Sequence, residues 1–235
     1  QLGTVDMTIT GESLQNWSPM AALLAVPYAY RSLEHMDEVA SGEIGDQIEA
    51  QILQNAQIRP IAYFARGARE LTANRAISTP DDLQGLKIRT IQSPVYVAAL
   101  NAMGANATPM AFGEVYTALQ TGVLDGFEHA ASMVYSSKLY EVSDHVALTR
   151  HLFGPTVITY SLPLWNQLSE AEQQVLTEAA DLAIEINRAL APLREQKALA
   201  QLEEVGMTIT EIDTSAFREG AAPLQDELAA DLDAT

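Results

Sequence analysis

The sequence predicts an α/β protein, and three observations carry that prediction. Strand-like and helix-like segments alternate from Ile58 to Ala130. Helix starts and stops are marked by Ser or Thr before Pro and by Gly at the exit. One unusually long helical pattern runs from Ser169 towards Gly206. The 235 residues are 48% hydrophobic and only 19% charged, which suits a packed core in one large or two ordinary domains.

In chain order, "TVDMTIT" alternates as a strand does, and Gly11 and Glu12 follow in a turn. "LLAVPYAY" is apolar and aromatic around Pro27 and reads as buried strand and turn. Leu33 to Ala56 is helical with a break at "SGEIG", then "IRPIAYFA" and "RELTANRAI" read as strands. In "STPDDLQG", Thr79 is the N-cap, Pro80 the first helical position, Asp81 and Asp82 the acidic first turn, and Gly85 the exit. "LKIRT" is a strand, and "SPVYVAALNAMG" is a helix capped by Ser93 and closed by Gly104. "ATPMA" is extended, "FGEVYTALQTG" is a helix, and "VLDGFEHA" is a short strand and loop. "HLFGPTVITYSLPLWNQL" is β-rich between Pro155 and Pro163. Ser169 and Glu172 form a capping box for the long helix, which Pro192 is expected to kink. "MTITEI" returns as a strand, and the acidic tail is helical.

Composition excludes several functions. The formal net charge of −18 argues against nucleic acid, which needs a basic face. With no cysteine there is no disulfide, thiol nucleophile or thiolate metal site. His35, His129, His145 and His151 fall in no metal-binding spacing, so neither metal nor cofactor is expected. No GxSxG elbow, GxGxxG turn or phosphate-binding loop occurs. No apolar run is long enough to span a bilayer. "QLGTVDMTIT" lacks the basic start and apolar core of a leader, so a mature, trimmed or partial chain is expected.

Arginine is scarce here and therefore informative. Arg66 and Arg69 follow one predicted strand and Arg89 ends another, the place where open α/β sheets bind ligands. A guanidinium fork there fits a carboxylate with two parallel bonds; a salt bridge to one of the many acids is the competing reading.

The string from "TPDDLQGLKIRT" through "GANATPM" to "FGEVYTALQTGVLDG" resembles the DctP-type substrate-binding proteins of TRAP transporters. The resemblance implies a two-lobed Venus-flytrap receptor with mixed sheets, its lobes bridged by the long kinked helix and closing around a small organic acid. The expected lobes are residues 1–65 with 155–192 and residues 66–154 with 193–222, followed by a tail over 223–235. It also implies that relatives carry a strand–helix–strand portion ahead of the first strand here, so the sequence is expected to be a fragment.

Carried onto this sequence, the family's carboxylate-binding arginine falls on Arg89 and a second arginine on Arg69 of "GARELT". Phe112 lines the family's cleft, with Tyr116 and Gln120 supporting the same helix. Where many relatives place asparagine in D-G-x-E-N, this chain has His129 in "DGFEHA". An imidazole donates or accepts by tautomer, which suggests a hydroxylated or keto acid. Glu128 is either an acceptor for sugar hydroxyls or a structural acceptor, and Glu12 completes the candidate ligand set. The resemblance implies a periplasmic, monomeric receptor without enzyme activity, delivering a sugar acid such as a uronate or aldonate to TRAP membrane subunits. A C4-dicarboxylate or 2-oxo acid receptor is the alternative, and a lyase or isomerase using Glu128 or His129 as base is a further one.

Overall fold

Apolar periodicity in this chain builds two separate sheets, seen in a computed structural model that describes residues 5–16, 18–64 and 66–233. In chain order the elements begin with β1 (Met7–Thr10), α1 (Leu33–Ala40), α2 (Glu43–Ala56), β2 (Ile58–Phe64) and β3 (Arg69–Ala73). There follow β4 (Lys87–Thr90), α3 (Pro94–Ala102), β5 (Asn106–Pro109), α4 (Val115–Gln120), β6 (Gly126–His129) and α5 (Ala131–Ser136). The last are β7 (His145–Leu152), β8 (Thr156–Ser161), α6 (Leu162–Trp165), α7 (Glu170–Glu204), β9 (Thr208–Glu211) and α8 (Ser215–Asp233). The chain divides into two compact units. One takes residues 1–25, 31–66 and 154–192; the other takes 26–30, 67–153 and 193–235.

The first unit holds a three-stranded antiparallel sheet in the order β1-β8-β2. Pro60 lies in β2, an edge strand, where its missing N–H costs no ladder bond, and the register shifts between Pro60 and Ala62. Ile48, Ile52 and Ala56 recur every four residues on α2 and pack against Leu14, Leu24 and Val157.

The second unit holds a six-stranded mixed sheet in the order β5-β4-β6-β3-β7-β9. β4 runs parallel to β5 and β6, β7 runs parallel to β9, and β3 is antiparallel to β6 and β7. Each face has its own core. Leu71, Ile88 and Ala147 meet Leu100 of α3 and Phe217 of α8 on one side. Phe127, Val146 and Leu148 meet Val115 and Leu119 of α4, Val134 of α5 and Leu202 of α7 on the other. Alternation along β7 sends successive residues to opposite cores. Gly126 has no alternative here, because a Cβ would lie 2.5 Å from the Thr72 carbonyl oxygen and 2.9 Å from Ile88.

The long helix runs from Glu170 to Glu204 behind the expected Ser169–Glu172 capping box, with Pro192 inside it. Two segments depart from expectation. "LLAVPYAY" is buried but forms a 3-10 helix over Pro19–Ala25 and then irregular chain, not a strand. Pro27 brings no N–H, and Tyr28 sits at φ 58°, outside the β region. The β-rich run read between Pro155 and Pro163 is β8, while α5 and β7 ahead of it carry no signal read from the sequence. β7 is covered on both faces, so its apolar run shows no alternation to announce it. The strand expected over Thr4–Thr10 is β1; Thr4 lies outside the described residues.

Candidate functional site

β4 is short and buried, and its residues alternate between the two cores. Ile88 enters one; Arg89, aligned with Phe127 of β6, turns to the other face. Arg89 therefore stands at the carboxyl end of a strand flanked by two parallel partners. It is 2% exposed. Its Nε and Nη2 donate to the Met110 carbonyl at 2.9 and 2.7 Å, while the Met110 N–H donates to the Thr90 carbonyl at 3.1 Å. The "ATPM" segment thus brackets the guanidinium through backbone alone. The Nη1 atom has no hydrogen-bond partner among the described residues. Burial pulls the guanidinium below its ordinary pKa, with Glu128 opposing, yet arginine stays a cation at neutral pH.

Phe112 opens the 3-10 turn before α4 and lies half-buried under Arg89, with the guanidinium carbon 5.6 Å from the ring centroid. His129 also lies against that ring, at 5.4 Å and 59°. The Ala130 N–H donates to His129 Nδ1 at 2.9 Å, so Nδ1 is the unprotonated nitrogen and Nε2 carries the ring proton. Arg89, Phe112 and His129 form one continuous group on the face of α4.

Arg69 and Glu128 form a second group on the opposite face. Arg69 donates through Nε to Glu128 Oε2 and through Nη2 to Oε1 at 2.7 Å and to the Glu128 carbonyl at 3.1 Å. Thr90 Oγ1 donates to Oε1 at 3.2 Å, and His151 Nε2 lies 3.6 Å from Oε2, beyond hydrogen-bond distance. The Tyr96 ring of α3 covers the Arg69 guanidinium at 5.2 Å. Burial alone would push the Glu128 carboxyl up; the Arg69 charge, joined by His151, reverses this and holds it well below the usual carboxylate range. Both Glu128 oxygens are engaged inside the protein, the arrangement of a structural acceptor. Glu12 belongs to the first unit, where it is buried and ion-paired with Arg66.

Sequence reasoning grouped Arg89, Arg69, Phe112, His129, Glu128 and Glu12 together; the six-stranded sheet separates the first five into two groups on its two faces, and Glu12 belongs to the first unit. It missed the Met110 carbonyl, which carries no side-chain signal, and Thr90, Tyr96 and His151, whose roles follow only from strand order. Among the described residues no cluster of His, Asp and Glu is placed to hold a metal ion, and no helix is long and apolar enough to cross a membrane.

A family model described as bacterial extracellular solute-binding protein, family 7 (DctP) matches residues 1–231. The chain is similar to a solute-binding protein of Roseobacter denitrificans, at 52% identity over 94% of this chain and 68% of that protein. It is also similar to the 2,3-diketo-L-gulonate-binding periplasmic protein YiaO of Escherichia coli, at 37% identity over 92% of this chain and 66% of that one. The chain spans about two thirds of the length of these curated relatives. Among solved structures, a TRAP periplasmic solute-binding protein of Roseobacter denitrificans with bound L-galactonate superposes with a TM-score of 0.91 at 52% identity, covering 94% of this chain and 74% of that one. One from Chromohalobacter salexigens with bound D-glucuronate gives 0.93 at 34% identity, covering 97% and 77%.

Proposed function

Because the chain belongs to the family 7 bacterial extracellular solute-binding proteins, we propose that it is part of a periplasmic receptor that captures a sugar-acid anion and delivers it to TRAP membrane subunits. The observation that carries this reading is Arg89: a buried cation with one edge held by Met110 and a donor nitrogen still unpartnered. A buried positive charge of this kind calls for an anion. The Met110 bracket turns the outer end of the guanidinium, Nη1 with the remaining hydrogen of Nη2, towards an incoming carboxylate.

Phe112 gives the ligand's carbon skeleton an apolar wall, and the protonated Nε2 of His129 donates to a hydroxyl or oxo oxygen. Arg69 and Glu128 neutralise each other and hold β3 against β6 behind the site. Each hydrogen bond to the charged carboxylate contributes about 1.5–3 kcal/mol net, so two or three supply much of the roughly 8 kcal/mol of a micromolar complex. The relatives' own ligands support an acid bearing several hydroxyls: L-galactonate in one, D-glucuronate in another, and D-erythronate in a Polaromonas protein. Capture and release involve no bond making, so the ligand is returned unchanged.

Isothermal titration with L-galactonate, D-glucuronate, D-erythronate and succinate tests the proposal. Binding of at least one hydroxylated acid in preference to succinate is expected. Equal or exclusive binding of succinate would move the ligand class to dicarboxylates, and binding of no acid by the full-length protein would remove the receptor reading.

A further inference from the structure

Glu70 is a buried acid that the capture step does not use. It lies between Arg69 and Leu71, where the register of β3 against β7 shifts. It is 6% exposed, and its Oε2 accepts the Arg150 N–H at 2.8 Å. Arg150 holds the left-handed φ of 43°, an uncommon backbone state for a residue with a side chain. The carboxyl thus clasps the strained side of the bulge. Its chain neighbour is Arg69, and its register partner on β6 is His129, so one residue adjoins a member of each polar group.

We infer that Glu70 is a proton-linked positioning residue: protonated, it closes the β3–β7 bulge as a neutral hydrogen-bonding group, and ionised, it sets a buried negative charge beside the anion-binding residues. The ligand-affinity part of this inference rests on the receptor reading above; the stability part does not.

The surroundings of Glu70 explain its proton. Burial pushes its carboxyl up to about 8, against the Arg150 N–H bond and the Arg150 charge. Glu195 of α7 and Glu211 of β9 reinforce the rise. The Arg150 guanidinium is itself drawn into a salt bridge with Glu211. From the 26–30 segment comes Tyr28, whose phenol is raised first by its own burial, with the Arg218 charge lowering it and Glu70 adding to the rise. Across on β6 stands His129. No cation among these groups pairs with the Glu70 carboxylate directly through its side chain.

The sign follows from proton counting. Between the ordinary carboxylate value of about 4.3 and about 8, the folded protein holds a proton that the unfolded chain has released, so stability falls as pH rises through that window and levels off above it. An anionic ligand feels the same charge. Its affinity falls once Glu70 ionises, and by linkage its binding raises the affinity of Glu70 for the proton.

Melting curves of the wild type and Glu70→Gln from about pH 5 to about pH 9 test this, with L-galactonate titrations at both ends. The glutamine variant keeps the neutral acceptor and cannot ionise. Its melting temperature is expected to gain on the wild type's through the window and to stay level above it. Wild-type affinity is expected to fall about threefold or more towards pH 9 while that of Glu70→Gln holds. A difference in melting temperature that does not change with pH, or identical affinity profiles in two proteins that both bind, would overturn the inference. If L-galactonate binds neither protein at any pH, the receptor reading loses its ligand and the melting profiles alone decide Glu70. Should Glu70→Gln fail to fold, carbon NMR of the wild-type glutamate carboxyls decides instead: one must titrate near 8, and its absence would overturn the proposal.

Discussion

Arg89 and Arg69 stand on nearby strands of the same sheet, both nearly inaccessible to solvent, yet they end in opposite situations. Arg69 meets its counter-charge inside the fold: Glu128 takes two of its nitrogens, Thr90 supports the carboxylate, and Tyr96 covers the guanidinium. Among the described residues, Arg89 meets a neutral carbonyl and an aromatic face, and its Nη1 has no hydrogen-bond partner. The first is an ion pair completed by folding. On the proposed reading, the second is half of an ion pair that a ligand carboxylate completes. Burial is therefore a poor guide to function in this sheet, and the identity of the partner is the better one.

The largest effect that would sharpen this contrast is on stability. Glu128→Ala takes the bidentate carboxylate from the buried Arg69 cation, and a loss of about 3–5 kcal/mol in denaturant unfolding is expected. Truncating Arg89 should behave differently. Arg89→Ala is expected to lower sugar-acid affinity by at least about 100-fold in calorimetric titration while shifting the melting temperature little, because a buried, incompletely paired charge leaves with the side chain. If Arg89→Ala unfolds the protein as badly as Glu128→Ala does, the two arginines share a structural role and the contrast fails. Arg89→Lys keeps the charge without the fork, and a loss of about tenfold is expected in the same titration. Phe112→Leu, which removes the ring between Arg89 and His129 but keeps an apolar wall, should cost about fivefold, consistent with about 1 kcal/mol for a ring contact.

A smaller effect follows from pH. The Glu128 carboxyl is held below its ordinary value against its own burial, so its contribution is complete above the normal carboxylate range and is lost only as pH falls through the lowered value. Acid unfolding of Glu128→Gln should lack that steep low-pH limb. Glu70, raised by burial, acts with the opposite sign at higher pH. Two glutamates on adjacent strands thus give the stability profile its two limbs, and a flat wild-type profile across both ranges would contradict both assignments.

Much of the fold was legible locally. Thr79, Pro80 and Gly85 bound a turn of helix, Ser93 and Pro94 start α3, and Ser169 with Glu172 starts α7, because capping chemistry is settled within four residues of chain. Arg89 at the end of β4 was readable for the same reason: alternation and a following Ser-Pro define that end. β7 and α5 were not legible, since a strand covered on both faces has no alternation and a six-residue helix has too few turns to show a period.

What sequence alone determined was the class of fold, the ends of most elements and the presence of an arginine at the carboxyl end of a strand. Which charges pair, and on which face, was decided only when β3, β4 and β6 came together. Arg69 meets Glu128 from 59 residues away, and Arg89 meets the Met110 carbonyl from 21 residues away. Such contacts depend on strand order and register, which long-range packing selects, and a backbone carbonyl leaves no mark in the amino-acid sequence.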